Sequence, residues 1–248
     1  MHPWKKYNFF VAHHALNRGY TCIIFNGPGQ GGTLLESGLT LSHVYDQVLD
    51  VVLQEAAKHG TWTHTVVQGL SLGGLLCLQA VSPAAIQSKV HAVIADPGEK
   101  NLLDMFRQRL PFPRDLRDQM PDGNGDAIAM ADFILTRMSL GNDATGWALR
   151  RGMLVHGVTT PLGYARALHE FDYAPILGKI GIPTLITKAE KDDIAAQAEE
   201  VLEKLTSSTK KALIKFSDEE GAGGHCSSGA RSFYSEQVCL WLDQVLQD

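Results

Sequence analysis

Apolar residues along this chain follow two rhythms. Short apolar runs bounded by turn residues alternate with stretches in which apolar positions recur every three or four residues. Tyr20 to Phe25 is a run of the first kind, between Gly19 and Asn26-Gly27-Pro28-Gly29, and it reads as a buried strand. Tyr7 to Arg18 before it reads as a helix that Gly19 closes. Thr40 to His59 carries apolar residues at Val44, Val48, Val51 and Val52, with Ser42 as a helix cap and Gly60 as a stop. Further strands are predicted at Thr63–Gln68, Val90–Ala95, Thr184–Thr187 and Ala212–Phe216, and a closing helix from about Ala230 to Leu246. Strands that alternate with helices predict an α/β fold whose mostly parallel sheet has helices on both faces.

Strand signals stop between Asp96 and Gly181. Pro111-Phe112-Pro113 and Pro121-Asp122-Gly123-Asn124-Gly125 break this stretch into helical pieces. It reads as a helical cap, residues 97–180, inserted into a core of residues 1–96 and 181–248. Leu102, Leu103, Met105, Phe106, Phe133 and Met138 give the cap an apolar character. That fits either an apolar ligand or packing of the cap itself.

Composition narrows the function classes. With 27 acidic and 22 basic residues the net charge is −5, which argues against a nucleic-acid binder. No apolar run is long enough to cross a membrane, and Met1 to Lys6 carries no signal-peptide core. The four cysteines, Cys22, Cys77, Cys226 and Cys239, form no paired framework and read as free thiols of a cytoplasmic protein.

The chemistry centres on Gly69-Leu70-Ser71-Leu72-Gly73, a G-x-S-x-G sequence between a predicted strand and an apolar helix. A serine on so sharp a turn is lifted clear of the sheet, and glycines leave room for close backbone. A hydroxyl is a poor nucleophile without a base, and the base needs an orienting acid. Both are expected on loops that follow later strands. After Thr184–Thr187 comes Lys188-Ala189-Glu190-Lys191-Asp192-Asp193; after Ala212–Phe216 comes a glycine-rich loop ending in His225-Cys226. The assignment is Ser71 as nucleophile, His225 as base and Asp192 as orienter, with Leu72 N–H as an oxyanion donor. Asp193, Glu190 and Asp96 stay open as alternatives for the acid. His156, in the cap, reads as a packed or substrate-contacting histidine, and Cys226 as structural. Asn26-Gly27-Pro28-Gly29-Gln30-Gly31-Gly32 lacks the Lys-Ser/Thr of a phosphate loop and reads as a tight turn. No His/Cys cluster has metal-ligand spacing, so neither metal nor cofactor is expected.

Phe25 to Gly31, Gly69 to Gly74 and Gly221 to Cys226, together with Met153-Leu154-Val155-His156-Gly157, resemble the dihydroxypseudooxynicotine hydrolase branch of the α/β hydrolases. That branch includes fungal hydrolases that shorten polyketides. The resemblance implies cleavage of a C–C bond next to a carbonyl, or of an ester, in a small apolar, polyketide-like substrate.

In that family the second oxyanion donor comes from a glycine-rich loop after an earlier strand. Here little precedes Tyr7, so the usual first strands and that loop are expected to be absent. Loss of one such donor lowers rate by about 10²–10³. Three accounts follow: Trp4, Lys5 and Lys6 form a substitute, a second subunit of a homodimer covers the gap, or the protein is a non-hydrolytic cyclase or ligand binder.

Overall fold

The computed structural model describes residues 11–247. Its strands are β1 (Val66–Leu70), β2 (Ala92–Asp96), β3 (Thr184–Ala189) and β4 (Lys211–Phe216). They form one parallel sheet in the order β1-β2-β3-β4. Every residue of β2 is buried, whereas β1 and β4 at the edges are only partly so. A parallel strand buried throughout is covered on both faces, as the alternation of strands and helices predicts. Ile94, Leu185 and Ala212 stand side by side in register. On that face they meet Tyr234, Val238, Trp241 and Leu242 of the closing helix, Arg231–Val245. Full burial of each large apolar side chain contributes roughly 1.5–3 kcal/mol. The apolar helix Leu72–Ala80 packs on β1 and β2, and Ala198–Lys204 on β3 and β4.

Two of the expected elements differ. Tyr20–Phe25 forms no strand; Ile23, Ile24 and Phe25 are 51%, 40% and 39% exposed. An apolar run becomes a buried strand only beside a hydrogen-bonding neighbour, and among the described residues this segment has none. The helix expected from Thr40 begins at Tyr45 and runs to Ala57, without Ser42 as its cap. Gln79 takes that role: its Oε1 accepts the N–H groups of Tyr45 at 2.6 Å and Asp46 at 2.9 Å, and its Nε2 donates to Asp46 Oδ1. The helix expected over Tyr7–Arg18 begins outside the described residues. Its described part, His13–Leu16, ends as expected at Gly19, which has φ +83°.

Contacts divide the chain into two compact units: residues 1–25, 44–100 and 173–248, and residues 26–43 and 101–172. The first holds the sheet. The second is helical. Its longer helices, Leu102–Arg109, Asp126–Ser139 and Ala144–His156, pack with shorter ones around Leu110, Met120, Ile128, Leu135 and Leu149. Its caps are local: Asn101 accepts from Asp104 N–H, Asp143 from Gly146 N–H and Thr160 from Gly163 N–H, with Pro161 following Thr160 in the first turn. Leu102, Leu103 and Phe106 belong to a smaller cluster with Ala165 and Leu168, Met138 packs on the larger one, and Phe133 is exposed. Most of the apolar cap residues singled out in the sequence therefore pack the unit itself. His156 is packed too, with ring centroids of Tyr164 and Phe171 each 5.2 Å from its own. Burial pushes its pKa down to about 4.

The glycine-rich segment after Phe25 forms a tight turn within the second unit. Gly29 and Gly31 have φ of +78° and +43°, and a Cβ on Gly29 would lie 2.9 Å from Leu41 Cβ. Thr33 Oγ1 donates to Gly27 O and Gln30 O, and Arg151 donates to Gly29 O at 3.3 Å. Among the described residues no helix is long and apolar enough to cross a membrane.

Candidate active site

The G-x-S-x-G sequence folds as its glycines require. β1 ends at Leu70, the helix starts at Leu72, and Ser71 between them has φ +57° and ψ −127°. A non-glycine residue with positive φ is uncommon and is held only by its surroundings. Those surroundings are close backbone. A Cβ on Gly69 would stand 1.9 Å from Gly73 O, and one on Gly74 would stand 2.1 Å from Pro97 O. Gly73, by contrast, has nothing within 4 Å of its Cβ position. Ser71 N–H donates to Asp96 O at 2.6 Å, and Ser71 O accepts from Gly74 N–H at 2.7 Å. The turn is thus pinned to the end of β2 on one side and to its own helix on the other.

Asp192 and His225 both come from loops at the C-terminal ends of strands. Asp192 follows β3 and caps a short 3₁₀ turn, its Oδ1 accepting Ile194 N–H at 3.0 Å. His225 follows β4, past a glycine-rich loop in which Gly221 has φ +71°. The structure brings the three expected residues together. His225 Nδ1 lies 2.8 Å from Asp192 Oδ2, and His225 Nε2 lies 2.8 Å from Ser71 Oγ. With a carboxylate on Nδ1, that nitrogen carries the proton, and Nε2 is the acceptor facing the serine hydroxyl.

Electrostatics fit this arrangement. Burial of Asp192 works to raise its pKa. The hydrogen bond and charge of His225, with the N–H groups of Ile194 and Cys226, outweigh burial and lower it, so Asp192 stays ionised. The alternative acids are placed otherwise. Asp193 and Glu190 are exposed, and Glu190 accepts from Asp218 N–H. Asp96 is buried against Thr187 and Arg231, which donate to it at 2.6 and 3.0 Å. Leu72 N–H belongs to the first turn of its helix, where N–H groups have no acceptor within the helix. Trp4, Lys5 and Lys6, expected as a substitute source of the second oxyanion donor, lie outside the described residues.

Cys226 differs from its sequence reading. Adjacency to His225 gave no reason to expect its thiol on the imidazole, yet Sγ lies 3.5 Å from His225 Nε2 and donates to Asp96 O at 3.4 Å. A left-handed backbone at Cys226, with φ +51°, folds the side chain back over the ring. Burial, followed by the charge of Asp96, pushes the thiol pKa well up, so it stands there as a neutral group. The sequence also gave no sign of Arg231 or Thr187, which are polar, buried and close to the site. An arginine opening a helix is ordinarily solvated. Among the described residues, no group of three or more His, Cys, Asp or Glu side chains is arranged to hold a metal ion.

Comparison with known proteins agrees with the motif resemblance. A family model described as the alpha/beta hydrolase family matches residues 2–231. Hydrolase LUC6 of a Fusarium species is 31% identical over 249 residues, covering 96% of this chain and 58% of that protein. The 20-hydroxy-prefusarin hydrolase FUS2 of Gibberella moniliformis is 31% identical over 254 residues, with the same 96% and 58% coverage. The chain therefore spans 58% of the length of these curated relatives. The crystal structure of 2,6-dihydroxy-pseudo-oxynicotine hydrolase superposes with a TM-score of 0.67 at 18% identity, covering 97% of this chain and 56% of that one; this is a likeness of fold.

Proposed function

For a chain that belongs to the alpha/beta hydrolase family, we propose that Ser71, His225 and Asp192 form the catalytic triad of a hydrolase acting on a carbonyl compound. The observation that carries this reading is the continuous hydrogen-bonded line from Ser71 Oγ through both ring nitrogens of His225 to a buried carboxylate. Ser71 Oγ adds to the carbonyl carbon while its proton passes to His225 Nε2. Asp192 stabilises the imidazolium that results and keeps the ring in place. The developing oxyanion takes the N–H of Leu72 as a donor. Collapse of the adduct breaks the bond between the carbonyl carbon and the leaving group, and His225 returns the proton to that group. A water then gives a proton to His225 as its oxygen adds to the acyl carbon, the bond from that carbon to Ser71 Oγ breaks, and His225 returns the proton to Oγ.

The reaction class follows from the leaving group. In a β-dicarbonyl compound the leaving group is a carbon stabilised as an enolate, and the step is a retro-Claisen cleavage of a C–C bond. In an ester it is an alkoxide oxygen. The motif resemblance favours a polyketide-like substrate, and the relative named 20-hydroxy-prefusarin hydrolase supports an oxygenated secondary metabolite as the class.

The test uses a fluorophosphonate probe and Ser71→Ala. Labelling should map to Ser71, and the substitution should lower turnover of a β-diketone or aryl ester by about 10⁴–10⁶. An unlabelled wild-type protein, or an Ser71→Ala variant that still turns over substrate, would sink the proposal. Turnover in ¹⁸O water separates the competing reading of a cyclase or ligand binder, because only hydrolysis places the isotope in the acid product.

A further inference from the structure

One buried ion pair stands beside the triad without belonging to it. The side chains of Arg231 and Asp96 are only 5% and 4% exposed. Arg231 Nη1 donates to Asp96 Oδ2 at 3.0 Å, and the same nitrogen donates to the main-chain oxygen of Cys226. Thr187 Oγ1 holds the other carboxylate oxygen, Oδ1, at 2.6 Å. The guanidinium also lies over the ring of Tyr234, with Cζ 3.9 Å from its centroid, and the Tyr234 hydroxyl accepts from Gln68 Nε2.

Each end of this pair leads to a reacting group. Asp96 is the residue whose main-chain oxygen accepts Ser71 N–H, so it fixes the strained turn that carries the hydroxyl. Cys226 is the residue immediately after His225, and its left-handed backbone sets the direction in which the histidine loop leaves. Gln68 lies three residues before Ser71 on β1. The loops that carry Ser71 and His225 are 154 residues apart in sequence, and one guanidinium is bonded to the support of both.

We propose that Arg231, acting through Asp96 and Cys226, is a positioning residue that sets the Ser71–His225 separation. The proposal rests on the triad reading above. Burial of the pair fits a geometric role. Two charges removed from water gain little net stability over well-packed apolar side chains of the same volume, whereas a rigid planar guanidinium, with one nitrogen bonded to both Asp96 and Cys226 and its Cζ over the Tyr234 ring, specifies one geometry. Lysine keeps the charge but loses the planar group that lies over Tyr234 and fixes the direction of the donors.

The experiment measures fluorophosphonate labelling of Ser71, with the limiting rate kinact and the half-saturation constant KI determined separately. Wild type is compared with Arg231→Lys, Arg231→Met and Thr187→Val, each at a temperature well below its own melting point. A displaced nucleophile–base pair of this kind lowers reactivity by up to about 10²-fold. Arg231→Met should approach that loss in kinact with KI unchanged. Arg231→Lys should fall between it and wild type. Thr187→Val, which leaves both Arg231 bonds in place, should change kinact by less than either Arg231 variant. Should Arg231→Met fail to fold, Arg231→Lys carries the test alone. Arginine variants that melt lower but keep the wild-type kinact would overturn the proposal, leaving Arg231 a purely structural residue. An unlabelled wild type would overturn the triad reading first and this inference with it.

Discussion

His156 is wedged between Tyr164 and Phe171, and acid should unseat it. Burial pushes its pKa down from 6.5 to about 4. The unfolded chain binds a proton at this side chain below about pH 6.5, and the folded chain only below about pH 4. The stability tied to neutral His156 is therefore complete above pH 6.5. It drains away as pH falls toward 4, because over that window the unfolded state holds more protons. A gap of about 2.5 pH units, at about 1.4 kcal/mol each, sets an upper bound of about 3.5 kcal/mol. Two measurements check it. The His156 ring protons should titrate by NMR with a midpoint near 4. Urea unfolding at pH 7 and pH 4.5 should show a pH-dependent loss that is smaller by about 2 kcal/mol in His156→Phe, which keeps the ring contacts and removes the titration. A midpoint at the ordinary histidine value, or equal losses in the two proteins, would refute the reasoning.

Two further substitutions test the packing around the site. Gly74→Ala would drive a Cβ to 2.1 Å from Pro97 O, so the helix behind Ser71 must shift. It should destabilise by about 3 kcal/mol or more and slow labelling of Ser71. Gly73→Ala meets nothing within 4 Å and should be neutral or stabilising, by up to about 1 kcal/mol, from helix propensity. Thermal melts of the pair decide whether close backbone or the motif as such demands glycine. Gln79→Ala leaves the N–H groups of Tyr45 and Asp46 without their acceptor and should lower stability by about 1–2 kcal/mol in denaturant titrations. A loss equal to that of Gln54→Ala, on the exposed face of the helix, would refute that capping role.

The residues most legible in the sequence are those whose chemistry depends on local backbone. The strands β1 to β4 are short apolar runs closed by turns, and their ends place Ser71, Asp192 and His225 on loops at one end of a parallel sheet. The glycines around Ser71 announce close backbone, and the structure shows contacts that only glycine accepts at 69 and 74. Where a feature depends on a distant partner, local reading fails. Tyr20–Phe25 has the composition of a strand and, among the described residues, lacks a neighbouring strand. The start of Tyr45–Ala57 is fixed by Gln79, from a helix 33 or 34 residues away in sequence. Asp192 and Asp193 are chemically identical neighbours, and only the fold turns one toward His225. Arg231 carries no sign of its role because its carboxylate partner, Asp96, lies 135 residues away in sequence.

The separation of 154 residues between Ser71 and His225 has a consequence for how the protein is made. A ribosome adds about 5–20 residues per second, so roughly 8–30 s pass between synthesis of Ser71 and synthesis of its proposed base, His225. On the proposed triad, Ser71 lacks its base throughout that interval and is an ordinary alcohol. On the proposed triad, reactivity arrives only when β4 has paired and the loop behind it can deliver the imidazole. On that reading, a nascent chain released before His225 would carry an unactivated serine.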